Sequence, residues 1–476
     1  MLLVILWASI VVQMHEVCAQ SIRRPNIIII TTDQQMADAM SSRMGNKWLR
    51  TPNMDKLAAK GVFFTRAYAA NPLCVPSRNS IITGQFPHAT GVESNSDYAN
   101  QRASKKHPWT GKENVSLGRY FEQAGYETAY FGKWHLNYDP KDKAAHGFET
   151  IQTFTKPVID RSIPYAVDTF LRQSHKKPIL LWASFINPHD ICQWARFQAL
   201  PEGPIAKVPP VSQWPPLVSN IAVPVNETEA MALIRKSYHL NRNLFPVGDY
   251  SQFDWRRLRW GYYRLIEKVD EHIGQLLAVL KKHGYDKNTL IVFTSDHGTC
   301  LGAHQFVQKT VFYEESVRVP LIFVYDGKIS NGANNSLVNT GVDLLPTLLD
   351  FGGIEKPSNL PGRSLKKAVE QNITLDRAYV VSENKMVQGG PIDGSIPVVH
   401  GRMVRSRRYK YCLYDTLNHR EALFDLEKDP GETVNIAEKA SSSAILKAHR
   451  TYLKEFATRN KDARALEMLE DLHNSG

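Results

Sequence analysis

The stretch Asn26-Ile-Ile-Ile-Ile-Thr-Thr-Asp33 contains four consecutive isoleucines and ends in an acidic residue. An apolar run without alternating polar residues indicates a strand that is buried on both faces. Such strands occur in sheets that are covered by helices on both sides and whose neighbouring strands are mainly parallel. This stretch therefore predicts an α/β fold, with Asp33 at the carboxyl end of the first strand.

Similar apolar runs recur along the chain and alternate with segments of helical periodicity. Further strands are predicted at 62–68, 127–131, 178–185, 290–294 and 319–325. Helices are predicted at 52–60, 77–83, 117–123, 254–282 and 343–351. Because strands that alternate with helices form sheets covered on both faces, we expect a mixed, mainly parallel sheet between helices.

A segment at 353–363 that contains two prolines is interpreted as a linker. Beyond it, the pattern predicts short strands at 402–414 and 421–426 and a helix at 441–460. We therefore expect a large domain, 21–365, followed by a smaller C-terminal α+β domain, 366–476.

The first twenty residues are interpreted as a signal peptide, 1–20. An apolar run of 12 residues begins at Met1, and Cys18-Ala-Gln20 follows as a plausible cleavage region. The run is too short to span a bilayer, and no Lys or Arg precedes it, so a mis-assigned start codon or an apolar N-terminal arm are the alternatives. Because no other apolar stretch reaches membrane length, we expect a secreted or periplasmic protein without a membrane span.

The formal net charge of +11 either suits an anionic partner or only keeps the protein soluble. No nucleic-acid-binding motif accompanies the charge, so no nucleic-acid partner is expected. Of the five cysteines, Cys18 falls in the predicted signal peptide. The motif around Cys74 indicates a chemical role for that residue. The three that remain, Cys192, Cys300 and Cys412, are too few for a disulfide framework.

Polar side chains follow four of the predicted strands at the point where each strand ends. They lie in Asp33-Gln34, Gly132-Lys133-Trp134-His135, Asn187-Pro188-His189-Asp190 and Ser295-Asp296-His297-Gly298. Each motif alone is typical of a helix cap or a structural histidine. In open α/β sheets, however, ligands bind beyond the carboxyl ends of the strands, so the agreement of all four predicts a site at this edge.

The segment Cys74-Val-Pro-Ser-Arg78-Asn-Ser-Ile-Ile-Thr-Gly84 predicts an anion-binding helix start. Pro76 suits the first turn of a helix, which puts Cys74 at the N-terminus, where free N–H groups and the helix dipole favour an oxyanion. Arg78, one turn further on, can donate a forked pair of hydrogen bonds to sulfate or phosphate. The alternatives are a buried cysteine in a helix cap and an ordinary thiolate nucleophile.

This segment resembles the signature of the type I, formylglycine-dependent sulfatases of the alkaline phosphatase superfamily, Cys-x-Pro-Ser-Arg followed by Thr-Gly. Other stretches resemble family landmarks in family order, among them Thr51-Pro-Asn-Met-Asp-Lys-Leu-Ala58, Tyr313-Glu-Glu-Ser-Val-Arg-Val-Pro320 and Leu423-Phe-Asp-Leu-Glu-Lys-Asp-Pro-Gly-Glu-Thr-Val-Asn435. The resemblance extends from about Pro25 to Asn460. It implies an alkaline-phosphatase-like core with a small C-terminal antiparallel sheet.

The resemblance also implies sulfuric ester hydrolysis by a nucleophile made at Cys74, which a formylglycine-generating enzyme oxidises to formylglycine (3-oxoalanine). It implies a divalent cation, usually calcium, whose ligands would be Asp33, Gln34, Cys74, Asp296 and His297. Gln34 stands where many relatives have Asp, and His297 stands where some have Asn. A site with fewer carboxylates and an imidazole also suits manganese or magnesium.

The resemblance further implies a catalytic and substrate-binding set of Arg78, Lys133, His135, His189 and Lys309. In the implied mechanism, Asp296 helps to activate one hydroxyl of the formylglycine hydrate, and Arg78, Lys133 and Lys309 hold the sulfate. His189 is then the acid for the leaving alcohol, assisted by Lys309, and His135 removes the proton of the second hydroxyl. His304 is a further candidate substrate contact, with a structural role as its alternative.

Two other functions stay open at this point. One is a phosphonate or phosphate ester hydrolase on the same scaffold, for which Gln34 and His297 leave room. The other is an inactive binding protein for sulfated glycans, against which the intact Cys74 motif argues. A basic exported sulfatase suits a sulfated carbohydrate, and the Pro-rich stretch at 193–249 is interpreted as an irregular surface excursion that, with 393–400, supplies the substrate pocket.

Overall fold

A computed structural model describes residues 24–97, 115–154 and 158–474. The predicted signal peptide, 1–20, lies outside these ranges. Within them the chain forms one mixed sheet of eight strands and one antiparallel sheet of four strands. None of the described helices combines the length and apolar character that crossing a bilayer requires.

The large sheet is mainly parallel, as the sequence predicts. Its strands are Asn26–Asp33 (β1), Val62–Tyr68 (β2), Glu127–Gly132 (β3), Thr150–Gln152 (β4), Ile179–Pro188 (β5), Thr289–Ser295 (β6), Leu321–Tyr325 (β7) and Gly332–Asn339 (β8). Their order is β4-β3-β5-β1-β6-β7-β2-β8. Only β7 runs antiparallel to its neighbours β6 and β2, so the carboxyl ends of the other strands in this sheet meet at one edge.

The central strand β1 explains why its sequence is a continuous apolar run. It pairs in parallel with β5 on one side and with β6 on the other. Ile28 and Ile30 point into one hydrophobic cluster, and Ile27 and Ile29 point into a second cluster on the opposite face. Both faces are therefore covered, and no position of the run is available for a solvated side chain.

Helices cover both faces of the large sheet and pack beside the small one. The described helices are Ser41–Met44, Pro52–Lys60, Cys74–Thr83, Pro87–Thr90, Leu117–Gln123, Lys143–His146, Ile159–Leu171, Ile191–Ala195, Glu229–Leu240, Gln252–Lys282, Glu314–Val317, Thr340–Phe351, Lys366–Gln371, Ser443–Asn460 and Ala463–Asn474. Short 3-10 helices occupy Val211–Gln213, Ala303–Gln305 and Ala440–Ser442. Gln252–Lys282 covers one face of the sheet and Thr340–Phe351 covers the other.

The small sheet consists of Tyr379–Met386 (β9), Val399–Ser406 (β10), Tyr409–Tyr414 (β11) and Glu421–Asp425 (β12), in the order β12-β11-β10-β9. All of its pairings are antiparallel. The predicted fold class, a mainly parallel α/β core with a smaller antiparallel α+β part, is confirmed. The division of the chain at residue 365 stays a prediction.

Two local expectations need correction, and one helix was not predicted. The predicted strand at 402–414 is a hairpin, in which Arg407 and Arg408 form the turn between β10 and β11. The stretch at 193–249 is not irregular throughout, because it contains the helix Glu229–Leu240. The helix Ile159–Leu171 escapes the sequence pattern because Pro164 lies inside it and interrupts the expected helix.

Candidate active site

Cys74 is the first residue of a helix that is buried along its whole length, Cys74–Thr83. The helix begins at Cys74 rather than at Ser77, and the Ser77 N–H donates back to the carbonyl of Leu73 at 3.0 Å. The Cys74 thiol is in contact with the Asn95 side chain, whose Nδ2 lies 3.5 Å from Sγ. The helix start therefore presents the sulfur within the protein rather than at its surface.

Three potential metal ligands converge beside this helix at the carboxyl ends of β1 and β6. Asp33, Asp296 and His297 are fully buried, and one ligand atom from each lies within 4.8 Å of the others. Among the described residues, no group hydrogen-bonds to Asp33 Oδ1 or to His297 Nε2. Since buried polar atoms are nearly always satisfied, these two orphaned atoms and the charge of two carboxylates fit a divalent cation.

Arg78 joins the two carboxylates. Its Nε donates to Asp296 Oδ2 at 2.7 Å and its Nη2 donates to Asp33 Oδ2 at 3.0 Å, while Nη1 donates to Ser184 Oγ at 2.7 Å. Burial alone would lower the pKa of Arg78, but Asp296 and Asp33 raise it above its usual range. The guanidinium is therefore held as a fixed positive charge one helical turn from Cys74.

Two lysines add positive charge to the same site. Lys133 Nζ donates to Asp33 Oδ2 at 2.6 Å, and Lys309 Nζ donates to Gln34 Oε1 at 2.7 Å. Burial alone would raise the pKa of Asp33, but the charges of Lys133, His189, Arg78 and Lys309 hold it well below its usual value. Burial and the nearby Asp33 raise the pKa of Asp296. The site thus combines two neighbouring carboxylates, Asp33 and Asp296, with side-chain cations that can bind an anion.

Gln34 lies within the site, but its side chain has other partners. Its Oε1 accepts from Lys309 and from Cys192 Sγ at 3.6 Å, and its Nε2 donates to Thr299 Oγ1 at 3.2 Å. The backbone N–H of Gln34 donates to Asp296 Oδ1 at 3.1 Å. Gln34 therefore connects Lys309 with the carboxylate cluster, and its service as a metal ligand stays a prediction.

Two histidines, His135 and His189, are half-buried at the same edge. Burial alone would raise the pKa of the Cys74 thiol, but the charges of His135 and Lys309 hold it well below its usual value. The field around residue 74 therefore favours an anion. His189 lies close enough to Asp33 to help lower the pKa of that carboxyl.

The site has the composition that the resemblance to sulfatases implies, and most of the chain matches that family. Residues 25–354 match the family model described as Sulfatase. The chain belongs to the sulfatase family. Residues 302–459 match a second model, described as N-sulphoglucosamine sulphohydrolase, C-terminal. The protein is therefore an enzyme that hydrolyses sulfate esters.

Known sulfatases resemble this sulfatase over almost its full length. It is 31% identical to a delta 4,5-hexuronate-2-O-sulfatase of Bacteroides thetaiotaomicron, over 93% of this chain and 91% of the relative. A solved structure of a 2-O GAG sulfatase has a TM-score of 0.78 and 28% identity, and the match covers 92% of this chain and 93% of that one. A structure solved in complex with its substrate, D-glucosamine-2-N,6-O-disulfate, has a TM-score of 0.74 and 25% identity, covering 93% and 99% of the two chains.

His304 is the one predicted site residue that the sulfatase places away from this cluster. It is fully buried, its ring lies 3.9 Å from the ring of Tyr313, and its Nδ1 is 3.3 Å from the carbonyl of Ala222. Burial lowers the pKa of His304 to about 4. These surroundings are those of a neutral structural histidine, and a contact with substrate stays a prediction.

Several polar residues of the site were not predicted from the sequence. The Asn95 side chain contacts Cys74, and Ser184 Oγ accepts a hydrogen bond from Arg78. Thr299 Oγ1 accepts from the Gln34 amide and so orients it. Asp160 accepts from the backbone N–H groups of Ile186 at 2.6 Å and Asn187 at 3.0 Å, and so holds the turn that carries His189. Ser184 offered a signal, because it is a polar residue inside an apolar strand.

Proposed function

We propose that this sulfatase hydrolyses sulfate esters of sulfated carbohydrates, with Cys74 converted to formylglycine as the residue that carries the nucleophile. The observation that carries the proposal is the buried start of the Cys74–Thr83 helix, which lies beside two carboxylates, an imidazole and three cations. The relatives that act on a sulfated hexuronate and on a sulfated glucosamine support a sugar substrate. The sulfated sugar would be the principal partner.

Formylglycine and a metal ion would supply chemistry that the twenty amino acids lack. When hydrated, formylglycine at position 74 would supply a geminal diol, whose two hydroxyls would provide a nucleophile and a means of releasing sulfate by elimination. A divalent cation, calcium or alternatively magnesium or manganese, would supply Lewis acidity and neutralise negative charge on the sulfate. Asp33, Asp296 and His297 would hold it, with Gln34 and residue 74 as further ligands.

The cations of this chain would bind the sulfate group. Lys133, Lys309 and Arg78 are held within the site by hydrogen bonds to Asp33, Gln34 and both acidic ligands. Because their positions are set before substrate arrives, they can stabilise developing charge without reorganisation. The helix N-terminus at residue 74 adds N–H groups that favour an oxyanion.

The histidines would transfer the protons. His189 would donate a proton to the oxygen of the leaving alcohol, and Lys309 would assist it. His135, which contacts the side chain of residue 74, would remove the proton of the second hydroxyl. Asp296 would help to activate the attacking hydroxyl, since it lies beside the helix start, where Arg78 donates to its carboxylate and the Ser77 hydroxyl donates to its backbone carbonyl.

Maturation and export complete the proposal. A formylglycine-generating enzyme would be a transient partner that acts on the segment around Cys74 before the helix is buried. The apolar run after Met1 would direct the chain to the periplasm or the medium. No nucleic-acid partner is proposed.

Peptide mass analysis tests the maturation step directly. The protein is made with a formylglycine-generating enzyme present, and the tryptic peptide 67–78 is measured, with Cys74→Ala as the matched control. Conversion of the thiol replaces H₂S by O in the peptide mass. Hydrolysis of monosulfated sugars is then compared with hydrolysis of matched phosphate and phosphonate esters. An unmodified Cys74 in a protein that cleaves phosphate or phosphonate esters better than sulfates would overturn the proposal.

A further inference from the structure

Thr310, the residue after Lys309, has a backbone conformation that threonine rarely adopts. Its φ is 83°, in the left-handed region that favours glycine. For a β-branched residue this conformation is strained and persists only where the surroundings hold it. The residues around Thr310 therefore hold the backbone next to Lys309 in this conformation.

Three separate parts of the chain hold Thr310. Its N–H donates to the carbonyl of Pro72 at 3.0 Å, in the segment that leads into Cys74. Its Oγ1 hydrogen-bonds to the hydroxyl of Tyr238, in the helix Glu229–Leu240. Its carbonyl accepts from Asn384 Nδ2 at 2.6 Å, in strand β9 of the small sheet. Each polar group of Thr310 thus has its own partner.

The two side chains that bind Thr310 are themselves rigidly packed. The Tyr238 ring stacks on Phe245 at 4.4 Å and meets Phe306 edge-on. Asn384 is buried opposite Gly401 of β10, where a Cβ would lie 2.6 Å from Asn384 Oδ1. The glycine therefore leaves the space that the Asn384 amide needs. Neither partner can move without disturbing its own neighbours.

Strand β9 also holds the segment on the other side of the site. The N–H of Glu383 donates to the carbonyl of Ala70 at 2.8 Å, and the hydroxyl of Ser382 donates to the carbonyl of Ala69 at 2.6 Å. Three consecutive residues of the small sheet therefore bind the two segments that carry Cys74 and Lys309. This contact explains why the middle of β9 is polar although it is buried.

We propose that Asn384 and Tyr238 are positioning residues of this sulfatase. By holding Thr310 in its left-handed conformation, they fix Lys309 relative to Cys74, so the small C-terminal sheet is part of the catalytic scaffold. The inference rests on the proposed roles of Cys74 and Lys309. Neither Asn384 nor Tyr238 is assigned a contact with substrate.

The test compares Tyr238→Phe, Asn384→Ala and the double variant in the matured, full-length enzyme. Tyr238→Phe keeps the stacked ring and removes only the hydroxyl, so it separates the contact with Thr310 from a folding defect. Tyr379→Phe is the matched control, because Tyr379 lies in β9 and its hydroxyl has no hydrogen-bond partner among the described residues. Turnover of an aryl sulfate, inhibition by inorganic sulfate, thermal unfolding and hydrogen exchange are measured for each variant.

We expect each single variant to lower kcat about tenfold and to weaken inhibition by sulfate, since small displacements of catalytic groups cost at least this much. The double variant should lose less than the product of the single effects, because both side chains act on Thr310. Hydrogen exchange should rise in peptides that cover 305–313 and 69–73 for Asn384→Ala, and Tyr379→Phe should match the wild type.

Variants that melt earlier but keep the wild-type kcat and sulfate inhibition would reduce both residues to a purely structural role and overturn the proposal. Unchanged hydrogen exchange at 305–313 in Asn384→Ala would also overturn it. The exchange measurement does not depend on turnover. If the wild type hydrolysed no sulfate ester, the proposed function would fail while the contact between β9 and Thr310 would still be tested.

Discussion

Arg78 and Asp296 form a buried ion pair in which Nε and Oδ2 are 2.7 Å apart and each side chain is 1% exposed. The pair joins the Cys74–Thr83 helix, one turn after its start, to the end of β6. The same guanidinium reaches Asp33 at the end of β1. A single side chain thus ties the helix that carries Cys74 to both strands that supply the acidic ligands.

Two substitutions of Arg78 should distinguish the contribution of its positive charge from that of its forked hydrogen bonds. Arg78→Lys keeps one positive charge but cannot donate to Asp33, Asp296 and Ser184 together, so we expect kcat/KM to fall by at least about 100-fold. Arg78→Ala leaves two buried carboxylates without this partner and should lower the free energy of unfolding by about 3–5 kcal/mol. Steady-state kinetics and denaturant unfolding measure the two effects.

Arg119→Lys is the control for this comparison. Arg119 pairs with Glu122 on an exposed helix face, where the exposed fractions are 36% and 31%, and such pairs contribute little to stability. Wild-type activity in Arg78→Lys would contradict the role of the forked hydrogen bonds in the site.

Removal of the divalent cation should destabilise the fold as well as stop turnover. A ligand that binds only the folded state at about 100 times its Kd adds about 2.7 kcal/mol to the free energy of unfolding. We therefore expect chelation to lower the melting temperature and added calcium or manganese to restore it. Asp33→Asn and His297→Ala should abolish this response, and Asp286→Asn, which changes an exposed carboxylate, should keep it. A melting temperature that is insensitive to chelation and to added metal would rule out the predicted cation site.

Substitution of Cys74 should distinguish the proposed nucleophile from an ordinary hydroxyl. Cys74→Ser could be sulfated, but without a second hydroxyl on the same carbon it could not release sulfate by elimination. We expect at most one equivalent of alcohol per chain in a rapid-mixing experiment, with a covalent sulfate on peptide 67–78. Cys74→Ala should release none. Multiple turnovers by Cys74→Ser would show that the geminal diol is not needed.

The sequence predicted those parts of the molecule that depend on local pattern. The run from Asn26 to Asp33 is strand β1, and the four motifs at strand ends do meet at one edge. Contacts between segments that are distant in sequence produce no local pattern from which they could be predicted. Nothing around Asn384 or Asn95 signals that the first lies against Thr310 and the second against Cys74. Gln34 was assigned as a metal ligand from the resemblance to the sulfatase family, whereas its side chain is bound to Lys309, 275 residues away.

A second cluster of ionisable groups joins the helix Pro87–Thr90 to the small sheet and to the C-terminal helices. His88 Nδ1 is 2.6 Å from Glu383 Oε1, its Nε2 is 3.0 Å from the carbonyl of Asn460, and Asp462 lies 3.9 Å from the ring. Arg402 donates to Asp462 at 2.6 and 3.0 Å. The geometry of His88, Glu383 and Asp462 would suit a metal ion, but these hydrogen bonds already occupy their polar atoms.

His88 should make stability depend on pH in the alkaline range. Burial alone would lower its pKa, but Glu383 and Asp462 raise it to about 9. Because the folded-state pKa lies above the unfolded value of about 6.5, the stabilisation is fully present below pH 6.5 and is lost as the pH rises through 9. We expect the free energy of unfolding to fall by on the order of 3 kcal/mol across this window. His88→Gln should flatten the fall, whereas His419→Gln, at a site that is 64% exposed, should leave it unchanged. Parallel stability curves for the wild type and His88→Gln would show that His88 is not the titrating group.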